Sequence, residues 1–118
     1  MAAIDVNQLV SDIKTAATQI LNKDISTVRG FSERQIKAMS QQAALVATGI
    51  ASGQITEETR EFFLESLERM TQNFLETLQG LLLVTVERLW NAVVGVIWTA
   101  INGAIATTGI VLPVPTKA

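Results

Sequence analysis

Apolar residues recur at three- and four-residue intervals along most of the chain, and no stretch alternates apolar and polar positions as a half-buried strand would. The two prolines, Pro113 and Pro115, fall at the extreme end, so nothing before them forces a helix to break. The pattern predicts an all-α protein. A first amphipathic helix is expected from about Val6 to Asn22, with Asp5 as its cap and Gln8 three residues on, as in a capping box. Its apolar stripe is Val6, Leu9, Val10, Ile13, Ala16, Ala17, Ile20 and Leu21. A second helix is announced by Gly30 as a turn and by Phe31-Ser32-Glu33-Arg34-Gln35-Ile36, a capping box with a flanking hydrophobic staple. Ile36, Met39, Ala43, Val46, Ala47 and Ile50 form its stripe, and Ala43, Ala44, Ala47 and Gly49 make that stripe thin enough for close helix approach. Gly53 is placed to end it.

A third helix is expected after Thr56, with Glu57, Glu58 and Glu61 in the first turns, where the helix dipole favours acids. Phe63, Leu67, Met70, Phe74, Leu81 and Val84 mark its stripe, with Thr77 as the weak position. Residues 57–76 hold six glutamates against Arg60 and Arg69, a pattern typical of a solvated helix face. No breaker divides this helix from the apolar run beyond it. Residues 57–107 as one helix would span roughly 75 Å at 1.5 Å per residue; the alternative is a bend near Gly80 or Gly95 and a return as a hairpin. The expected architecture is two amphipathic helices and then a long or kinked helix whose C-terminal half is apolar, built into an oligomeric assembly. The regions are 1–56 (amphipathic), 57–88 (acidic amphipathic), 89–112 (apolar, facing membrane or buried) and 113–118 (extended tail).

The apolar region changes the picture most. No charged side chain occurs from Leu89 to Thr116. As a helix, 89–112 would span roughly 36 Å, against a hydrocarbon core of about 30 Å. Its ten strong aliphatics favour insertion by about 3–6 kcal/mol, which Asn91, Asn102 and the threonines erode. A lone span is therefore marginal, and a packed oligomer is more comfortable. Asn91 and Asn102 lie eleven residues apart and return to nearly the same helix face. Gly95, Thr99, Gly103 and Thr107 form a small-xxx-small series. Val94, Ile97, Ile101 and Ile105 lie opposite. Trp90, beside Arg88, suits a membrane interface, whereas Trp98, two turns deeper, suits packing. The residues expected to pack helices or meet lipid are Trp90, Asn91, Gly95, Trp98, Thr99, Asn102, Gly103 and Thr107.

Composition agrees with that emphasis. Of 118 residues, 48% are hydrophobic and only 17% charged, against about 25% charged in ordinary soluble domains. The net charge of −2 gives no electrostatic case for nucleic acid. Cysteine, histidine and tyrosine are absent, which removes disulfides, thiolate metal sites, the commonest zinc ligand and most nucleophile–base pairs. The i,i+4 pairs Glu57/Glu61 and Glu61/Glu65 lack the histidines that accompany carboxylate di-metal sites. No phosphate-binding loop occurs. The expectation is a protein with no catalytic, metal or cofactor site. MAAIDVNQLVSDI lacks a basic start and an apolar core, so no signal peptide is read there.

The cysteine- and histidine-free helical body, the segment RGFSERQIKAMSQQAALVATGIASGQIT (Arg29 to Thr56) and the end LWNAVVGVIWTAINGAIATTG (Leu89 to Gly109) together resemble small bacteriophage virion proteins ejected with the genome. The likeness is one of style over most of the chain, and it transfers no functional residues. It implies storage in a virion, ring assembly, and an apolar end presented to the host envelope as part of a channel. The expected partners are further copies of the chain, a lipid bilayer and other virion proteins. Two other readings stand beside it. One is a holin-like, single-span membrane protein. The other is a soluble structural adaptor whose apolar helix is buried by partners.

Overall fold

The structure is a computed structural model and describes residues 4–27, 33–82 and 86–115. Among these residues it is all-helical, with four α-helices and no strand. The helices are α1 (Val6–Leu21), α2 (Glu33–Ser52), α3 (Glu57–Leu82) and α4 (Val86–Ala104), with short 3-10 turns at Ile25–Thr27 and Ala106–Thr108.

Local chemistry explains most of the helix ends. Asp5 caps α1 through its carboxylate, which accepts the Gln8 backbone N–H at 3.2 Å. The Gln8 side chain does not complete the box. It donates to Asp12 at 2.9 Å, one turn on. Asn22, at φ 52°, closes α1 in the left-handed region that asparagine tolerates. The start signal at Gly30, Phe31 and Ser32 lies outside the described residues. Gly53 ends α2 at φ 82°, as its sequence position implied. The chain then folds Ile55 back over Gly49: the Ile55 N–H donates to the Gly49 carbonyl at 2.9 Å, and a Cβ on Gly49 would lie 2.6 Å from the Ile55 side chain. Thr56 opens α3, and Thr59 takes the part a glutamate plays in a capping box, its hydroxyl accepting the Thr56 N–H at 3.1 Å.

The four helices form a bundle in which α2 and α4 are the central pair, each packed against all the others, with α1 and α3 flanking them. All six stripe residues expected on α2 are buried. On α1, Leu9, Ile13 and Ala17 are buried and the rest of the stripe is half-buried. The buried line on α3 is displaced from the expected one. Leu67, Thr71, Phe74, Leu75 and Leu78 face the core, Phe63 and Met70 are only half-buried, and Thr77 is exposed. Thr71 is tolerated there because its hydroxyl donates to the Leu67 carbonyl at 2.9 Å, one turn back. The Leu81 side chain and Val84 lie outside what is described.

For residues 57–107 the sequence left a single rod and a hairpin open, and the structure takes the second form, the packed pair α3 and α4. The molecule's longest dimension is 41 Å, which leaves no room for a continuous rod of that length. Neither Gly80 nor Gly95 is the break. Both sit inside helices, α3 ending at Leu82 and α4 beginning at Val86, and residues 83–85 lie outside the described residues. Nor is 89–112 a helix capable of spanning a bilayer. No helix among the described residues is long and apolar enough to cross a membrane. α4 stops at Ala104 and carries Glu87, Arg88, Asn91 and Asn102 along its 19 residues, and its charge-free part, 89–104, measures roughly 24 Å, short of the ~30 Å hydrocarbon core.

Candidate functional site

The sequence directs attention to α4, and the structure divides that helix into two unlike sides. Leu89, Trp90, Val93, Val94, Ile97, Trp98, Ile101 and Ile105 are all buried in the core that α4 shares with α1, α2 and α3. The apolar side is therefore satisfied within the chain. Trp98 is 1% exposed and Trp90 4% exposed, so Trp90 is a core residue in this fold rather than one set at a water-facing boundary.

The small-residue side is left open. Ala92, Gly95, Val96, Thr99 and Ala100 of α4, with Asp12, Thr15, Ala16 and Gln19 of α1, line a groove of about 600 Å³. Gly103 and Ala100 continue the line past Ala104 to Asp5 and Gln8. A Cβ added at Gly95 or Gly103 would meet nothing within 4 Å. Packing inside this chain therefore does not require glycine at either position. Thr99 and Asn91 are exposed. Thr107 leaves the series, because it sits in the 3-10 turn after α4 has ended.

Asn102 has a separate task. After Gly109, at φ 80°, the chain turns back along α4 as an extended strap. The Asn102 carboxamide grips the Leu112 backbone at two points: Oδ1 accepts the Leu112 N–H at 2.8 Å and Nδ2 donates to the Leu112 carbonyl at 3.0 Å. Leu112 itself is 4% exposed and belongs to the core cluster. Further along, the Trp90 indole N–H donates to the Pro115 carbonyl at 3.1 Å. The extended tail expected for 113–118 thus begins earlier and is tied down through 115. On its other flank the strap faces α3. Glu57, Arg60, Glu61, Leu64 and Glu65 form one wall of a groove of about 360 Å³, with Trp98, Leu112 and Pro113 opposite.

The sequence grouped Asn91 and Asn102 as one polar stripe. The structure gives them different surroundings, Asn91 exposed and Asn102 half-buried beneath the strap. It also adds residues that helical periodicity does not single out. Asp12, Thr15, Ala16 and Gln19 enter because α1 packs beside α4, and Leu112 enters because the strap folds back. One signal for the strap was present: an asparagine in an otherwise apolar stretch needs a hydrogen-bonding partner, and a nearby Gly-to-Pro segment that cannot be helical offers free backbone groups.

No group of histidine, cysteine, aspartate or glutamate side chains suited to a metal ion occurs among the described residues. Glu57, Glu61 and Glu65 are exposed along α3.

No family model, curated protein or solved structure matches this chain. The functional reading therefore rests on the geometry of α4 and its two surroundings.

Proposed function

We propose that this is a non-enzymatic structural protein that works as a homo-oligomer, its subunits meeting along the α1/α4 groove. One observation carries the reading. Gly95 and Gly103 lie on the uncovered side of α4, where a Cβ would meet no other side chain or neighbouring helix within 4 Å, so packing among the described residues does not call for their smallness. Small residues at four-residue intervals let a second helix come close, where backbone and side chains gain dispersion contacts. Light scattering tests it on detergent-free protein. The wild type is expected to have a multiple of the subunit's 12.8 kDa mass, and Gly95→Leu/Gly103→Leu to lose the groove contact and show a smaller mass with its helicity intact. A wild type that stays monomeric at high micromolar concentration contradicts the proposal.

A second reading keeps the membrane role, in a virion ejection component of the kind the sequence resembles. It is favoured by the absence of any charge from Leu89 to Thr116. In this reading the bundle is a storage form, and α4 reaches lipid only after α1 and α3 swing away and several copies pool their polar faces. Dye-filled liposomes separate the two. Leakage that appears only when the bundle is destabilised supports insertion after opening. No leakage under any condition leaves the structural role alone.

A further inference from the structure

The strap is held as a peptide ligand is held. Its main anchor is not side chain to side chain. The Asn102 carboxamide pairs with both backbone groups of Leu112, at 2.8 and 3.0 Å, reproducing the two-bond exchange of an antiparallel strand pair. A second backbone group, the Pro115 carbonyl, receives the Trp90 indole N–H. The Leu112 side chain enters the core and Ile110 packs partly against it, while Val111 is 81% exposed and Val114 40% exposed. Recognition of this kind reads an extended backbone with one apolar side chain inserted. It fits proline-containing segments, because Pro113 and Pro115 have no N–H to leave unpaired.

We propose that the strap site on α4 is a peptide-binding site whose occupant in the assembled protein is the 109–115 segment of a second copy of this chain. The occupant's identity follows from what already sits there: the chain's own segment satisfies every anchor, and an identical segment from a neighbour would make identical contacts. Exchange of an identical element between protomers is a low-cost route to association. Gly109, at φ 80°, is the residue where the strap departs from the body, and no side chain there restrains a change of direction. Strap exchange would link each subunit to the next head to tail, whereas pairing along the α1/α4 groove places like faces together. The two are independent, and Gly95→Leu/Gly103→Leu leaves the strap site untouched.

The test uses the full chain and a blocked synthetic peptide of residues 109–117. In Leu112→Asp the chain's own strap is evicted and the site stands open. Titration of the peptide into this variant, followed by tryptophan emission, is expected to saturate. Leu112→Asp/Asn102→Leu should bind roughly tenfold or more weakly, since two hydrogen bonds to the peptide backbone are lost. A peptide with Asp in place of the leucine should not bind. Leu112→Ser, a gentler eviction, runs in parallel with helicity checked by circular dichroism. Wild type with excess peptide gives a readout free of any substitution: faster exchange of the Leu112 amide as the peptide displaces the strap. Linear, unsaturated responses in both eviction variants together with an unchanged wild-type amide overturn the peptide site. Saturable binding in the eviction variants, with a Gly95→Leu/Gly103→Leu protein that stays monomeric at high micromolar concentration, overturns exchange between copies.

Discussion

Helices α3 and α4 are neighbours in sequence and in space, yet they solve the same packing problem with opposite compositions. α3 carries a row of glutamates on its outer side and offers the core a broken line in which Thr71 stands among Leu67, Phe74, Leu75 and Leu78. α4 carries charge only at Glu87 and Arg88. The difference follows from position. α3 lies on a flank and must present a polar face to water. α4 lies in the middle, packed against α1, α2 and α3, with only a narrow strip of glycine, alanine and threonine uncovered. A charge-free segment of this length invites a membrane reading, and in this bundle most of the helix circumference is occupied by protein.

The contrast between the two helices breaks most severely at Trp98. Trp98→Ala removes a fully buried indole from the central helix and is expected to destabilise by about 3–5 kcal/mol in urea unfolding. On α3's outer face Glu65→Ala should stay within roughly 0.5 kcal/mol of wild type. If both cost the same, the distinction between central and flanking helix fails. Asn102→Leu comes next, with an expected loss of about 1–3 kcal/mol, because the Leu112 N–H and carbonyl lose their partners. Hydrogen exchange should show the Leu112 amide losing its protection in this variant while the α2 amides keep theirs.

Smaller effects sharpen the picture at the glycines. Gly49→Ala would drive a methyl into Ile55 and is expected to destabilise by about 1 kcal/mol, overpacking outweighing the gain in helix propensity. Gly80→Ala, with open space around it, should stabilise α3 by up to about 1 kcal/mol. Paired thermal melts check the opposite signs. The smallest effect belongs to Lys14→Ala. Its ion pair with Glu33, at 3.2 Å, joins a partly exposed lysine to an exposed glutamate, and its loss should lower stability by no more than about 0.5 kcal/mol, less in high salt.

Much of the fold was legible because local rules and burial agreed. The α2 stripe, the Asp5 cap, the Gly53 stop and the Thr56 start could be read from spacing and from residue chemistry. The division between α3 and α4 was left open between a rod and a hairpin, because Leu81 to Thr85 contains no proline or glycine to mark it. The core line of α3 was legible only in part: Leu67 and Phe74 are buried as expected and Phe63 and Met70 pack partly against the core, but Thr71, Leu75 and Leu78 were missed. Thr71 faces inward by donating to its own helix, which hydrophobic periodicity does not register. The two sides of α4 were visible in sequence, but their environments were not. Which side meets protein depends on α1 and α2, more than thirty residues away in the chain, and on a strap whose anchoring is a side-chain-to-backbone pairing.

Hydrogen exchange on the detergent-free protein, resolved along the chain, tests the central claim most directly. If α4 is the core helix of this bundle, the amides of Val93 to Ile101 exchange only through global unfolding and are among the slowest in the molecule, matched by those of α2. Fast exchange across Val93 to Ile101 without lipid, with protection appearing only when liposomes are added, would show that α4 belongs to a membrane and would contradict the account.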